Sequence, residues 1–393
     1  MFFSVDISAL QWLLFQLGVM AVLVALVVFA VRVLPLRGRV RKDDSSLDAD
    51  QNEEFEKAAI IVYSHDEDSD LARLLPQLLE QDYPVPYEVV VVNEGESAAV
   101  SEVVGDFQLR HKNLYLTCTP DGVRNLSRKK LAITLGVKAT RMPVVVLTTA
   151  GSCIDSTLWL RSMMRHFRAG NGVEVVLGFA APPPYDDRAF GARARAFDFV
   201  ADSAAWVSRA IKHHPWRGTE HNLAYRRDLF FRNKGFSRHL NLRYGDDDIF
   251  VSEITDANNT AVELSDDAFV TIPGANSPRA FRDEKTRRSF TGRFIRRRPR
   301  VMSPIGFICY ALAPLPPLVG AALSPTNWFG WALAAGVLLL WYLTGLIWHI
   351  AVKALRGRRM LLTLPFLASG RPVRKLKRGI SSLFRHGKRY TWE

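Results

Sequence analysis

The sequence predicts an α/β protein: a mostly parallel sheet with helices on its faces, flanked by transmembrane helices. Three observations carry this. Short apolar runs rich in β-branched residues recur between residues 58 and 178, with helix-like stretches between them. Uncharged, strongly apolar segments lie before and after that region. The net charge of +13 over 393 residues is concentrated beside those segments rather than spread along the chain.

Residues 9–31 carry no charged side chain, and at about 23 residues they can span a bilayer. Arg32, Arg37, Arg39, Arg41 and Lys42 follow, whereas only Asp6 precedes, so the N-terminus is expected outside and residue 32 onward in the cytoplasm. A cleaved signal peptide would need a basic start and a shorter apolar core. The membrane segment is therefore set at 1–35, and the polar, acidic stretch that follows makes 36–56 a linker.

Ala58-Ala59-Ile60-Ile61-Val62-Tyr63 reads as a buried strand, and Leu71, Leu74, Leu75, Leu78 and Leu79 recur at helical spacing. Further strands are expected at 88–92, 113–117, 144–147 and 173–178, with a helix beginning at Ser127 and running through Lys138. Strand–helix alternation implies a parallel sheet covered on both faces, whose ligands bind beyond the carboxyl ends of the strands. The soluble domain is set at 57–300. Residues 304–323 form a second span, broken by Pro314, Pro316 and Pro317. Residues 328–352 form a third, with Trp328, Trp331, Trp348 and His349 near its ends and 324–327 as a short outer loop. These two spans occupy 301–355. Arg356, Arg358 and Arg359 return the basic 356–393 tail to the cytoplasm, and 360–367, too short to span, suits the interface. Few spans without paired charges argue against a transporter.

The basic runs, at 293–300 and from Arg371 to Arg389, sit beside apolar segments, which favours anionic lipid over nucleic acid as a partner. Cys118, Cys153 and Cys309 have no metal-ligand spacing and read as free thiols in a reducing compartment.

The chemistry-bearing stretch is Gly245-Asp246-Asp247-Asp248, which opens an apolar run at helical spacing. A helix start accommodates one or two acids as caps. Three leave one free to act as a general base in a cleft. Asp66 and Glu94 follow the first two strands, and Lys129 and Lys130 open a helix where free N–H groups and lysines together suit phosphate. Solvated surface lysines are the plainer alternative. His213-His214, adjacent on a helix, point apart and suit no shared metal. Asp155 reads as a helix N-cap, and Trp206 and Trp216 as packing residues.

In this order the motifs resemble the membrane-associated family 2 glycosyltransferases of GT-A fold, from about Lys57 to Arg300. Five segments carry the resemblance: the first strand with its acidic loop, Asn93-Glu94-Gly95, Arg128-Lys129-Lys130-Leu131-Ala132, the 218–226 segment beginning Gly218-Thr219-Glu220-His221-Asn222, and Gly245-Asp246-Asp247. The resemblance implies a GT-A-like nucleotide-binding domain in a bacterial inner membrane, with its catalytic part cytoplasmic. It implies an inverting transfer from a nucleotide-sugar donor to a lipid-linked or glycan acceptor. Asp247 would be the base, with Asp246 orienting it or contacting the acceptor. Asp66, Glu94, Lys129, Lys130, Thr149 and Arg287 would contact the donor, and His221, Asn222 and Asp248 would lie on the acceptor side. Two departures stand out. The family's Asp-x-Asp metal motif falls on Thr149-Ala150-Gly151, so its usual Mg²⁺ or Mn²⁺ has no ligands assigned here, and no other cofactor is expected. Its Gln-x-x-Arg-Trp falls on Glu284-Lys285-Thr286-Arg287-Arg288, where a lipid-facing basic helix is an equal reading. The lost acids also admit a non-catalytic relative that acts as a membrane-tethered binding or scaffold protein.

Overall fold

The computed structural model describes residues 8–46, 54–120, 126–183, 190–273, 277–295, 302–358 and 360–383. Parts of both basic runs, 296–300 and 384–393, lie outside them. The chain divides into two compact units, one built from residues up to 37, 186–205 and 299–386, the other from 38–185 and 206–298.

In chain order the elements begin with α1 (Ala9–Ser46), β1 (Ala58–Ser64), α2 (Asp68–Leu79), β2 (Tyr87–Asn93), α3 (Ala98–Gln108) and β3 (Leu114–Cys118). Then come α4 (Arg128–Ala139), β4 (Val144–Thr149), α5 (Trp159–Met164), β5 (Val175–Leu177), β6 (Ala180–Ala181) and α6 (Phe190–Ile211). They are followed by β7 (Leu223–Arg226), α7 (Arg227–Arg232), α8 (Ile249–Ile254), β8 (Thr260–Val262), β9 (Val270–Thr271) and α9 (Pro278–Thr291). The last helices are α10 (Met302–Leu312), α11 (Leu315–Ala322), α12 (Trp328–Leu346), α13 (Trp348–Ala354) and α14 (Leu364–Leu383).

The α/β class holds. Seven strands form one sheet in the order β3-β2-β1-β4-β7-β5-β8. β1 is parallel to β2 and β4, so Ser64 lies beside Asn93 and Tyr63 beside Thr149, and three carboxyl ends share one rim. Both faces are covered. Ile60, Val62, Val89 and Val146 bury against Leu71, Leu74 and Leu78 of α2 and against Trp159. On the other face α4 comes so close that a Cβ at Gly136 would lie 2.7 Å from Ile61 Cγ2 and 2.8 Å from Val92 Cγ2. Only glycine fits there.

The sheet is mostly parallel, as expected, with one antiparallel strand, β7, between β4 and β5. This four-residue strand lies in a stretch without the continuous apolar run of the others. One expectation needs correction: the stretch 36–56 is not simply a linker, since α1 continues to Ser46. Its polar end is held by side-chain bonds: Asp43 is buried, its Oδ2 accepts from Leu264 N at 3.0 Å, and Arg165 donates to its carbonyl at 3.0 Å.

In the apolar unit, three helical stretches are long and apolar enough to cross a membrane: Ala9–Asp44, Pro304–Ala322 and Trp328–Ala354. The second breaks between α10 and α11 at Pro314, as the prolines require. Phe29 meets Phe307 and Trp348 at ring distances of 4.9 and 5.2 Å. Tyr310 and Trp341 stack at 5.3 Å, and each donates to the other's carbonyl. The 360–367 stretch leads into α14, where Arg374 and Arg378 each reach Asp198 at 2.9 Å.

Trp159 is fully buried and donates from Nε1 to Asn222 Oδ1 at 3.2 Å. Trp159→Ala should cost about 3–5 kcal/mol through the cavity it leaves, read by denaturant unfolding of the detergent-solubilised protein. A loss below about 1 kcal/mol would show that this core is not cooperative with the sheet.

Candidate functional site

The shared rim is where side chains converge. Because β7 is antiparallel, the residues that precede it, not those that follow, arrive beside the end of β4. Leu147 pairs with Leu223, so Glu220, His221 and Asn222 emerge at that rim. The backbone joins this segment to the acidic loop, with Gly218 N donating to Asp247 O at 3.0 Å.

α4 fixes the loop from the other side. Its N-cap Ser127 accepts from Lys130 N and donates from Oγ to Arg243 O at 3.2 Å. Lys130, fully buried, donates from Nζ to the carbonyls of His239, Leu242 and Tyr244 at 2.7, 3.0 and 2.8 Å. Burial lowers its pKa to about 8 against the pull of Asp246, Asp248 and Asp247. The expected diphosphate contact of Lys130 is therefore not available: its ammonium builds the loop instead. The loop then turns at Gly245, whose φ of +110° suits glycine.

The three aspartates take separate roles. Asp248 Oδ1 accepts from Ile249 N at 2.7 Å, and its Oδ2 accepts from Thr291 Oγ1. It caps α8 and ties α9 to the loop, so its expected acceptor-side place becomes a structural one. Asp246 Oδ2 lies 3.2 Å from Lys129 Nζ. Burial alone would raise its pKa, but Lys129, Arg287 and Lys130 outweigh burial and hold it at about 2. Asp247 Oδ2 lies 3.2 Å from Arg287 Nη2. Burial pushes Asp247 up to about 7, Asp248 and Asp246 add to the rise, and Arg287 and Arg217 restrain it.

α9 supplies one face to this cluster. Glu284, Arg287, Arg288 and Thr291 are spaced three, four and seven residues apart and so project together. Arg287 reaches Glu220 Oε1 at 3.1 Å and Glu284 Oε2 at 3.0 Å besides Asp247. Glu284 in turn holds Arg288 and lies 3.8 Å from Arg217. Lys129 pairs with Glu220 and Asp246 and sits over the Tyr63 ring, 5.1 Å from its centroid. Glu220 thus joins the two cations.

At the end of β4, Thr149 Oγ1 and Ser152 Oγ lie 2.8 and 3.1 Å from His221 Nδ1. Burial, then Lys129 and Arg287, lower the His221 pKa to about 3, so this imidazole is neutral. Asn222 is fully buried and donates to the carbonyls of Phe179 and Ala268 at 3.0 and 2.7 Å, a strut rather than a surface group. Glu94 accepts from Tyr63 Oη, and its Oε1 lies 3.6 Å from His65 Nδ1. Asp66 is exposed in the loop after β1, with a φ of +52°.

Asp155 does not cap a helix: Cys153 Sγ donates to it, and α5 begins only at Trp159. His213 and His214 follow the end of α6, and among the described residues no group of three or more His, Cys, Asp or Glu could hold a metal ion. Trp206 and Trp216 are buried, as packing residues are. Sequence reasoning missed Glu220, Glu284, Tyr63 and Ser152 as site members. Glu220 lies inside the 218–226 segment, but nothing in its local pattern sets it apart from a surface acid.

No protein-family model matches the chain, and no curated protein does. Among solved structures it is similar to a mannosyltransferase from Pyrobaculum calidifontis in complex with GDP-Man and Mn²⁺, with 17% identity, 90% of this chain and 99% of that one covered, and a TM-score of 0.48. It is also similar to TarS of S. aureus, with 16% identity, coverage of 80% and 91%, and a TM-score of 0.39. A third is glucosyl-3-phosphoglycerate synthase from Mycobacterium tuberculosis in complex with Mn²⁺, UDP-Glc and phosphoglyceric acid, with 11% identity, coverage of 64% and 84%, and a TM-score of 0.37.

Lys130→Met would take this donor from the carbonyls of Leu242 and Tyr244 and leave His239 O with Leu242 N alone. It should lower the unfolding free energy by about 3 kcal/mol or more, measured by denaturant titration. An unchanged midpoint would show that the 239–244 segment does not depend on this ammonium.

Proposed function

We propose that the chain is a membrane-bound, inverting glycosyltransferase of GT-A type, moving a sugar from a nucleotide-sugar donor to a lipid-linked or glycan acceptor. The observation that supports this best is the pairing of unlike carboxyls at positions 246 and 247. One is held ionised by lysine and arginine, and its neighbour is poised near neutrality by burial. Two acids with pKa values pushed apart are what acid–base chemistry at neutral pH needs.

In the proposed reaction Asp247 takes the proton from the acceptor hydroxyl. The acceptor oxygen bonds to the anomeric carbon as the bond from that carbon to the diphosphate oxygen breaks. The nucleoside diphosphate leaves with the bonding pair, and Lys129 and Arg287 neutralise it. Arg287 restrains Asp247 while the donor is absent. A diphosphate competes for its guanidinium, which has two other carboxylate partners through which it can shift. Asp246 stays ionised and orients Lys129. Glu94 and Asp66, beyond β2 and β1, are assigned to the nucleoside.

The three candidate spans support membrane attachment. We assign the chain to the bacterial inner membrane with the sheet unit cytoplasmic, following the arginines and lysines after residue 31. A lipid-linked acceptor and the donor then meet at the inner leaflet, and α14 with the basic tail binds anionic lipid there. A non-catalytic scaffold is favoured only by the absence of acids at Thr149 and Gly151.

Asp247→Asn should reduce transfer by about a hundred- to ten-thousandfold while donor binding persists. Since the base acts ionised, kcat/KM for the wild type should rise as pH passes about 7 and then level off. Sugar transfer from radiolabelled donors in membranes, assayed across pH, tests both. Transfer that survives Asp247→Asn would remove the base assignment. Donor binding without turnover in any acceptor mixture would favour the scaffold.

A further inference from the structure

We infer that the donor's diphosphate is met by two side-chain cations, Lys129 and Arg287, standing where a divalent metal ion would be required, so that this site works without metal. The inference rests on the glycosyltransferase reading above and concerns how that site handles phosphate charge.

The end of β4 does not fit Mg²⁺ or Mn²⁺. These hard ions want carboxylate and carbonyl oxygens in number. Thr149, Ala150 and Gly151 supply no carboxylate. What the end of β4 offers besides is the two neutral hydroxyls of Thr149 and Ser152, 2.8 and 3.1 Å from His221 Nδ1, which alone make a poor site for such an ion. The other ring nitrogen, Nε2, faces Glu220 Oε1 at 3.7 Å.

Glu220, which faces His221 Nε2, and Asp246 are already bridged, and by a cation of the protein's own. Lys129 Nζ pairs with Glu220 from the segment before β7 and with Asp246 from the acidic loop. A divalent ion would have to displace that ammonium. Arg287 does the same on the other side, linking Glu220, Glu284 and Asp247. Glu220 is thus shared, and holds the two positive groups on either side of one carboxylate. A diphosphate arriving at this point offers two phosphoryl groups to two cations, one a compact ammonium and one a planar fork suited to bidentate phosphate contact. Lys129 lies over the Tyr63 ring at the end of β1, at the rim, and its side chain is 20% exposed.

The test uses the full chain in nanodiscs, stripped with chelator, and inorganic pyrophosphate as the probe, followed by calorimetry with and without Mn²⁺. UDP and GDP serve as further probes. Pyrophosphate should bind in chelator, with its affinity changed less than about twofold by Mn²⁺. Lys129→Met and Arg287→Met should each weaken binding by about ten- to a hundredfold, and Lys129→Arg should restore much of it. Thermal melts check that each variant is folded. The double substitution Thr149→Asp with Gly151→Asp should make binding respond to Mn²⁺. A Cβ at Gly151 meets nothing within 4 Å, so that side chain has room. Binding by the wild type only when metal is present would overturn the inference and leave the glycosyltransferase reading standing. So would folded Lys129→Met and Arg287→Met proteins that bind as the wild type does. No binding of pyrophosphate, UDP or GDP under any condition would overturn both.

Discussion

The buried ammonium of Lys130 is the constraint on which the site depends. An ammonium removed from water costs several kcal/mol unless its protons are all received. Here three carbonyls on one short segment receive them, at 2.7–3.0 Å. Charge-assisted bonds of this kind contribute about 1.5–3 kcal/mol each, enough to offset the burial. The segment 239–244 cannot move away from α4 without stranding the charge. Gly245 and the three aspartates follow directly, so the same contact fixes where they stand.

From that anchor the site is built by alternation of sign. Lysine, glutamate, arginine and aspartate succeed one another from α4 to the segment before β7, to α9 and to the acidic loop. Asp246, Asp247, Glu220 and Glu284 each have a cation beside them, and Glu220 and Glu284 have more than one. Such a network places strong charges in a buried site without leaving any of them isolated, since an unpaired buried charge would be far more costly than the network. Small differences in pairing then separate groups that are chemically identical. Asp246 faces Lys129 and is held acidic, Asp248 is bonded at both oxygens, and Asp247 is left in between.

The apolar unit obeys a different rule. Its close packing uses aromatic rings and small residues, and Gly306 admits Val28 where a Cβ would lie 2.6 Å from Val28 Cγ1. Several of its polar side chains are paired within it: Gln11 donates to Gly320 O at 2.9 Å, and Arg374 and Arg378 converge on Asp198.

The sequence by itself determined the α/β class, the strands at the front of the sheet, the helix from Ser127 and a break among Pro314, Pro316 and Pro317. These follow from periodicity and from proline, which are properties of adjacent residues. It also singled out the 245–248 stretch, because three acids after a glycine are rare in one turn. Only the tertiary structure decided which lysine of Lys129-Lys130 is buried, since one step along a helix turns a side chain by about 100°. Only it brought Glu220, Glu284 and Arg287 together, because β7 reverses direction and no local pattern records which end of a short strand meets its neighbour. Which aspartate caps, which pairs and which is held near neutrality likewise depends on charges distant in the chain. Coulombic fields act through space, and a linear pattern carries no distances.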